Sequence, residues 1–217
     1  MVGRIISRGF SDDNASIGIG SLIIFISLIL VAGITASVIM QTMNSLQQRA
    51  LTTGQESIRD IADGVKVTHV AGYSNGSKIT QLALFISPIA GSNGIDLTYT
   101  SVTISDTATE VILSYNSSCF SGNASGGLFG TVNSSNLTTT TYGVIVIRDI
   151  DNSCSSSTPL INNDDLVVIL VNTTKCFNGI STRTKISGKV IPEHGVNGVI
   201  AFTTPSAYVD NIIDLQP

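Results

Sequence analysis

The feature that most constrains this chain is an apolar run near its N-terminus, residues 17–40. The run has 24 residues, fifteen of them large and apolar, and no charged residue occurs from position 14 to position 48. As an α-helix it would be about 36 Å long, which is enough to cross a lipid bilayer. A cleavable secretory signal has an apolar stretch of only about 7–15 residues, and a soluble core helix carries a polar stripe. The run therefore predicts a membrane-spanning helix that needs apolar surroundings on all sides.

The residues before this run indicate how it would be oriented in a membrane. Arg4 and Arg8 precede the run, although Asp12 and Asp13 lie between. Because positively charged flanks tend to stay on the cytoplasmic side, the sequence predicts a cytoplasmic N-terminus and an external remainder.

The helical pattern also continues beyond the length that a membrane requires. Apolar residues recur at Leu51, Ile58 and Val65, and no proline occurs before Pro88. Gly33 and Ser37, four positions apart, would lie on one side of the helix and allow close helix packing. A helix over 16–64 is longer than a simple anchor needs and favours packing among copies of the same chain.

From position 65 onward the pattern predicts a β domain, 65–217. Short stretches rich in β-branched residues alternate with Gly, Asn, Ser and Pro turns. About eight such strands favour an antiparallel, immunoglobulin-like β-sandwich, so that the fold class is α+β. The predicted strands are 65–71, 81–89, 95–105, 110–115, 142–148, 166–172, 182–190 and 198–203.

Composition argues against two classes of function. The net charge is −4 and only 12% of residues are charged, so no basic cluster is present to bind nucleic acid. His69 and His194 are the only histidines, and neither lies near a nucleophile motif. We therefore expect no enzymatic activity and no required cofactor.

Both ends of the chain resemble archaellins, the filament subunits of the archaeal swimming organelle. The N-terminal similarity lies in "SIGIGSLIIFISLILVAGITASVIM" followed by "LQQRALTTGQESIRDIADGVKV". The C-terminal similarity lies in "NDDLVVILVNTT" and "RTKISGKVIPEHGVNGVIAFTTPSAYVDNIIDLQP". The resemblance implies a type IV pilin-like helix followed by an immunoglobulin-like outer domain.

The resemblance also implies a leader, 1–15, removed by a prepilin-type peptidase. Aligning "IGIG" places the cut between Ala15 and Ser16, with Gly18 at the third mature position. Related leaders usually end in a basic residue followed by glycine, which here occurs only at Arg8 and Gly9. Cutting after Gly9 would leave two carboxylates at the start of a packed helix, so Ala15 is favoured.

The implied function is assembly into an extracellular helical filament for swimming. The precursor would sit in the membrane, ATP-driven machinery would extract it, and identical or closely related subunits would polymerise through their helices. Two alternatives are an adhesive type IV-like pilin and a monomeric, membrane-anchored binding module. The predicted filament-core residues are Ile17, Leu22, Phe25, Leu28, Gly33, Ala36, Met40, Leu51 and Ile58.

The middle of the β domain carries a biased segment with several sequons for N-glycosylation. Of the 28 residues in 114–141, 20 are Ser, Thr, Asn or Gly, and 111–147 holds no charge. Attached glycans would supply the hydration that charges do not, whereas the alternative is a bare polar loop. The predicted acceptors are Asn75, Asn116, Asn123, Asn133, Asn136 and Asn172.

Oxygen-bearing residues in "RDIDNSC" are a candidate cation site. Asp149, Asp151, Asn152 and Ser153 offer the hard ligands that Ca²⁺ or Mg²⁺ prefers. The archaellin resemblance implies a divalent-cation site in the outer domain, and the alternative is a solvated turn. Asp164 and Asp165, which precede a predicted strand, are interpreted as turn residues.

The chain has three cysteines, Cys119, Cys154 and Cys176. An external domain permits a disulfide, and the prediction is Cys154–Cys176, with Cys119–Cys154 or three free thiols as alternatives.

Overall fold

The computed structural model describes residues 13–216 of the chain, with side chains from Ile17 onward. A single helix, α1, runs from Asp13 to Ala62. The chain up to Gln55 and the chain from Glu56 form two compact units. The predicted long N-terminal helix is confirmed.

Three of the four polar side chains in the apolar part of α1, those of Ser21, Ser27 and Thr35, donate hydrogen bonds to the helix itself. The hydroxyl of Ser27 donates to the carbonyl oxygen of Ile23 at 2.8 Å, and that of Thr35 donates to Val31 at 2.9 Å. Such bonds to the preceding turn satisfy a hydroxyl without a partner outside the helix. Because of them, the helix can present an apolar surface in every direction.

The rest of the chain forms eleven strands and two short helices within the described residues. A nine-stranded sheet has the order β10-β9-β4-β5-β6-β8-β2-β1-β11, and β3 pairs with β7 separately. The strands are β1 (Val65–Ser74), β2 (Ile79–Pro88), β3 (Ile95–Asp96), β4 (Ser101–Ser105), β5 (Glu110–Ser121), β6 (Thr141–Arg148), β7 (Leu160–Ile161), β8 (Leu166–Asn172), β9 (Lys185–Ile191), β10 (Gly198–Thr203) and β11 (Ile212–Gln216), and the helices are α2 (Leu128–Thr131) and α3 (Thr173–Phe177).

Pairing in the sheet is antiparallel except between β5 and β6, which run parallel. Parallel neighbours need a long connection, and here the segment 122–140, which contains α2, supplies it. We call this segment the crossover. The predicted class, a long helix followed by a mostly antiparallel β domain, is confirmed; immunoglobulin-like topology stays a prediction.

The two outer strands of the sheet, β10 and β11, are linked through one side chain. The amide oxygen of Gln216 accepts from the backbone N–H of Ala201 at 3.0 Å, and its nitrogen donates to the carbonyl of Val199 at 3.4 Å. The sheet therefore curls around an inner core to which nearly every strand contributes. Fully buried members of this core include Leu82, Ile104, Leu113, Ile169 and Ile186.

The crossover covers the outer surface of the central strands with a second, smaller core. Val132 and Leu137 of the crossover pack with Ile145, Val168 and Leu170 of β6 and β8. As a result, all five residues of 167–171 are fully buried. This double coverage explains why the sequence of β8 is a continuous apolar run and does not alternate.

One predicted strand, 95–105, is wrong, because the chain turns between β3 and β4. The carboxylate of Asp96 accepts the backbone N–H of Thr98 at 2.8 Å, and the N–H of Thr100 donates to Leu97 at 3.2 Å. The buried hydroxyl of Tyr142 lies 2.9 Å from the carbonyl oxygen of Leu97 and 3.0 Å from that of Thr100. A side-chain hydrogen bond and a tyrosine of β6 thus stabilise a turn where β-propensity favours a strand.

Removing the Tyr142 hydroxyl should destabilise the β domain. We expect Tyr142→Phe to lower the free energy of unfolding by about 1–3 kcal/mol, because the buried carbonyl oxygens of Leu97 and Thr100 lose the hydroxyl that they share. Tyr99→Phe is the matched control, since Tyr99 is 67% exposed. Loss of its hydroxyl should have no measurable effect on the free energy of unfolding. Urea unfolding of the detergent-solubilised chain, followed by near-UV circular dichroism, measures both; equal stability of the two variants would contradict this role of Tyr142.

Candidate functional site

The apolar surface of α1 is the largest functional candidate in the described chain. Its large apolar side chains are between 49% and 80% exposed, the extremes being Ile26 and Ile61. The helix from Ile17 to Ala62 is long and apolar enough to cross a membrane, and none of its most apolar window is buried. All the predicted filament-core residues lie on this exposed helix: Ile17, Leu22, Phe25, Leu28, Gly33, Ala36, Met40, Leu51 and Ile58.

Small residues break this apolar surface in places. A Cβ atom added to Gly33 would meet no other atom within 4 Å, and the same holds for Gly18 and Gly20. The structure of one chain therefore gives these glycines no packing role. The predicted leader, 1–15, and the cleavage residues Ala15 and Ser16 lie outside the residues whose side chains are described.

A cluster of carboxylates lies after β6. One oxygen from each of Asp149, Asp151 and Asp165 lies within 4.8 Å of the others. The loop is shaped by backbone donors: the N–H of Ser153 donates to Asp149 at 3.2 Å and the N–H of Cys154 donates to its second oxygen at 3.0 Å. The predicted set of Asp149, Asp151, Asn152 and Ser153 thus lies in one loop, and Asn152 takes a left-handed φ of 58° there.

Asp165 joins this cluster, although the sequence pattern favoured a role in the turn. Its side chain is 1% exposed, and one carboxylate oxygen has no hydrogen-bond partner. Its other oxygen accepts from the backbone N–H of Asn162 at 2.9 Å. Burial raises the pKa of the Asp165 carboxyl, and the nearby charge of Asp149 adds to the rise. The neighbouring Asp164, with a φ of 65°, does occupy the turn.

The exposed member, Asp151, is stabilised in its charged form. The side-chain amide of Asn162 donates to it, and this bond is the main reason that the pKa of Asp151 is lowered. The cluster therefore combines an ionised carboxylate at the surface with a buried carboxyl group, one oxygen of which has no hydrogen-bond partner. Hard oxygen atoms in this arrangement are suited to a divalent cation.

The cysteines do not form the predicted Cys154–Cys176 bond, and all three are free thiols in the structure. Cys154 lies in the acidic loop, whereas Cys176 lies in α3 with its sulfur 3.9 Å from the carbonyl oxygen of Thr139. Burial raises the pKa of Cys154 to about 12 and raises the pKa of Cys119 and Cys176 as well. Since the thiolate is the reactive form, a raised pKa disfavours reaction at these thiols.

Most of the predicted sequons are presented to solvent. Asn75, Asn123, Asn133 and Asn136 are exposed, and Asn116 is half-buried. In Asn75, Asn116 and Asn133 the side-chain oxygen accepts the backbone N–H of the sequon serine two positions later, at 3.0–3.1 Å. This local turn fixes the side chain of each asparagine at the surface.

Asn172 differs from the other sequon asparagines because it is buried and fully engaged. Its oxygen caps α3 by accepting from the N–H of Lys175 at 3.2 Å. Its amide nitrogen donates to the carbonyl of Ser134, in the crossover, at 2.9 Å. The residue thus ties α3 to the crossover, a role that the sequon pattern alone does not reveal.

Comparisons with known proteins agree on one family. A sequence model described as archaeal-type flagellin matches residues 15–202. Flagellin B2 of Methanocaldococcus jannaschii is 40% identical over 207 residues, covering 94% of this chain and 95% of that protein.

Solved structures give the same result. The crystal structure of archaeal flagellin FlaB1 from Methanocaldococcus jannaschii covers 71% of this chain and 98% of its own, with a TM-score of 0.65 and 34% identity. A chain from the archaeal flagellum of Methanospirillum hungatei covers 92% of this chain and 99% of its own, with a TM-score of 0.65 and 13% identity. This match shows a common fold.

Proposed function

Because this chain belongs to the archaeal-type flagellin family, we propose that it is a structural subunit of the extracellular archaellum filament that drives swimming. The observation that carries the proposal is the exposed apolar surface of α1. Neither an adhesive pilin nor a monomeric membrane-anchored module is favoured, since the relatives that cover nearly the whole chain are flagellins. We infer a non-catalytic role, which agrees with a structural family.

The energetics of α1 require that a free subunit stay out of water. Fifteen large apolar side chains lie in 17–40. At about 1.5–3 kcal/mol each, their exposure to water would cost on the order of 20–45 kcal/mol as an upper estimate. Such a helix resides either in a membrane or in a bundle of other helices. We propose that the subunit occupies both environments in turn. It is first a membrane-inserted precursor and then part of the filament core.

The transfer between these environments depends on close packing. Lipid is as apolar as a helix bundle, so transfer gains mainly packing contacts. Gly33, which has open space around it in the single chain, and the exposed Ala36 would allow neighbouring helices to approach closely. Contacts that run head-to-tail without closing generate a helical polymer. Because this transfer gains little free energy, we propose that ATP-driven machinery extracts the subunit from the membrane. We propose that a prepilin-type peptidase first cuts the chain between Ala15 and Ser16.

We propose further that the acidic cluster binds a structural Ca²⁺ or Mg²⁺ ion. Asp149, Asp151 and Asp165 would each supply one oxygen, and Asn152 and Ser153 lie in the same loop. The unpartnered, buried oxygen of Asp165 supports this proposal, because an uncompensated buried carboxylate is costly. A cation would supply charge neutralisation and would hold the 149–165 segment together.

We propose that exposed sequons carry N-linked glycans. Asn75, Asn123, Asn133 and Asn136 offer exposed acceptors on a surface with few charges. Asn172 was predicted from its sequon, but its amide nitrogen is buried and donates a hydrogen bond, so we expect it to remain unmodified. Bound sugars would keep the outer wall of a filament hydrated.

Substitutions at Gly33 test the filament proposal. Gly33→Ala and Gly33→Glu both fit the isolated helix, since a Cβ atom there meets nothing within 4 Å. We expect Gly33→Glu to abolish filaments, because it places a carboxylate in an apolar core, and Gly33→Ala to reduce their number less. Electron microscopy of sheared filaments, with precursor levels measured by immunoblot, gives the result; normal filaments from Gly33→Glu would count against assembly through α1.

Removal of the Asp165 charge tests the cation proposal. With Ca²⁺ present, we expect Asp165→Asn to melt at a lower temperature than the parent chain, because a ligand is lost. With EDTA the order should reverse, since the substitution removes buried negative charge that no cation offsets. Calorimetry of both proteins in both buffers measures the effect, with Asp164→Asn as the control. The proposal would be contradicted if EDTA did not change the melting temperature of the parent chain.

Glycopeptide mapping of native filaments tests the glycan proposal. Mass spectrometry should find glycans on at least two of the exposed acceptors and none on Asn172. Thr174→Ala removes the Asn172 sequon while leaving the asparagine cap. Its mass should differ from that of the parent only by the substitution itself, and its stability should be nearly unchanged, since the exposed Thr174 hydroxyl makes only a long bond, of 3.4 Å, to Thr80. A glycan on Asn172 would show that modification precedes folding of α3, against this expectation.

A further inference from the structure

A groove on the surface of the β domain is not used by the function proposed above. Tyr73 of β1, Gln81 of β2, the glycine-rich stretch 126–130 of the crossover, and Ile212 of β11 line it, and its volume is about 420 Å³. We call it the Tyr73 groove. Its volume falls within the range of about 300–1,000 Å³ that small-molecule sites occupy.

Two aromatic rings form one wall of the groove. The ring centroids of Tyr73 and Phe129 are 5.4 Å apart, with their planes inclined at 41°. Gly126 and Gly127, at φ of 80° and 89°, have no atoms near their missing side chains, so the stretch beside Phe129 is open. The wall thus offers an apolar aromatic surface that solvent can reach.

Gln81, which lines the groove, carries a hydrogen-bond acceptor that is not used. Gln81 lies directly opposite Tyr73 in the β1–β2 pair. The side-chain oxygen of Gln81 is buried and has no hydrogen-bond partner within the described chain. A buried acceptor without a donor costs free energy comparable to a lost hydrogen bond. Rotation of the Gln81 side chain toward the groove would let a bound group donate to its oxygen and relieve that cost.

These features define the chemistry of a ligand. None of the lining residues is charged, so an ion finds no partner of opposite charge. A purely apolar molecule would leave the Gln81 oxygen unpaired. A sugar ring fits both parts, because its C–H face can lie on the negative face of an aromatic ring while its hydroxyl groups donate hydrogen bonds.

We propose that the Tyr73 groove holds a sugar of an N-linked glycan attached to Asn123 of the same chain. The inference rests on the proposed glycosylation. Asn123 lies three residues before Gly126, which limits the distance between their Cα atoms to about 11 Å. A glycan of one or two sugars can therefore fold back over the groove.

Asn75, two residues after Tyr73, is the rival attachment point. Its side-chain oxygen accepts hydrogen bonds from the backbone of Ser77, the hydroxyl of Ser77 and the backbone of Lys78, at 2.9–3.1 Å. These bonds hold the asparagine in its own turn. Among the described residues the exposed side chain of Asn123 makes no hydrogen bond, so Asn123 is free to direct a glycan into the groove.

A double-mutant cycle on native filaments tests the proposal. Asn123→Gln, Phe129→Leu and the combined variant are compared with the parent, and Asn75→Gln and Asn133→Gln are the control sequon changes. Phe129→Leu keeps apolar volume in the groove but removes the aromatic face. Melting temperatures come from calorimetry, and glycopeptide mass spectrometry establishes which asparagines are modified.

We expect Asn123→Gln to lower the melting temperature by about 2–4 °C in the parent and by less than half of that in the Phe129→Leu background. Asn133→Gln should have the same effect in both backgrounds. Hydrogen exchange of the peptide 126–130 should be slow in the parent and faster in Asn123→Gln, which tests the proposal even if Phe129→Leu folds poorly.

The proposal would be overturned if Asn123→Gln lowered the melting temperature equally in both backgrounds. It would also be overturned if the effect of Asn75→Gln, and not that of Asn123→Gln, depended on Phe129. Glycans on other sequons with Asn123 unmodified would refute the groove proposal alone. A complete absence of glycans would refute the glycosylation proposal as well, while normal filaments would leave the structural role intact.

Discussion

The apolar surface of α1 must be kept from water, and the organisation of the chain follows from that requirement. Within the described residues, no side chain of its most apolar window is buried. The cover has to come from lipid or from other molecules. The hydroxyl groups of Ser27 and Thr35 bond within the helix, so these two donors are satisfied in both environments. A subunit that passes from a membrane into a polymer needs this property.

The β domain meets the opposite requirement, since it has to remain in water with few charges. Its inner core is closed by the curled sheet, and Gln216 links the two outer strands. The second core lets the crossover shield the central strands β6 and β8. Ser, Thr, Asn and Gly then form the solvent side of the crossover, and hydroxyl and amide groups take the place of charged side chains.

The sequence predicted those parts of the fold that depend on local pattern. The helix could be recognised because its apolar run is long and uncharged, and β8 because its residues are β-branched. The turn at 97–100 was missed because it depends on Tyr142, which is distant in sequence. The parallel pairing of β5 with β6 was missed for a similar reason: the crossover has only the short α2 and no clear periodicity.

In the candidate sites, too, features set by local sequence could be predicted and features set by tertiary packing could not. The position of Asp149 and Asp151 in one loop could be predicted from their spacing, whereas the burial of Asp165 depends on packing that spacing does not reveal. Likewise, the sequon at Asn172 has the same pattern as the other five, and only the structure shows that it caps α3. A short motif identifies the chemistry of a residue but not its accessibility.

The crossover contacts the sheet through a few apolar residues separated by exposed polar ones. Val132 and Leu137 face the second core, whereas 133, 135 and 136 face solvent. Length can therefore change between such contacts without altering the register of β5 and β6. A peptide tag inserted after Ser135 would leave the carbonyl of Ser134 bonded to Asn172. Such a tag would be displayed in many copies along a polymer while the sheet beneath keeps its geometry.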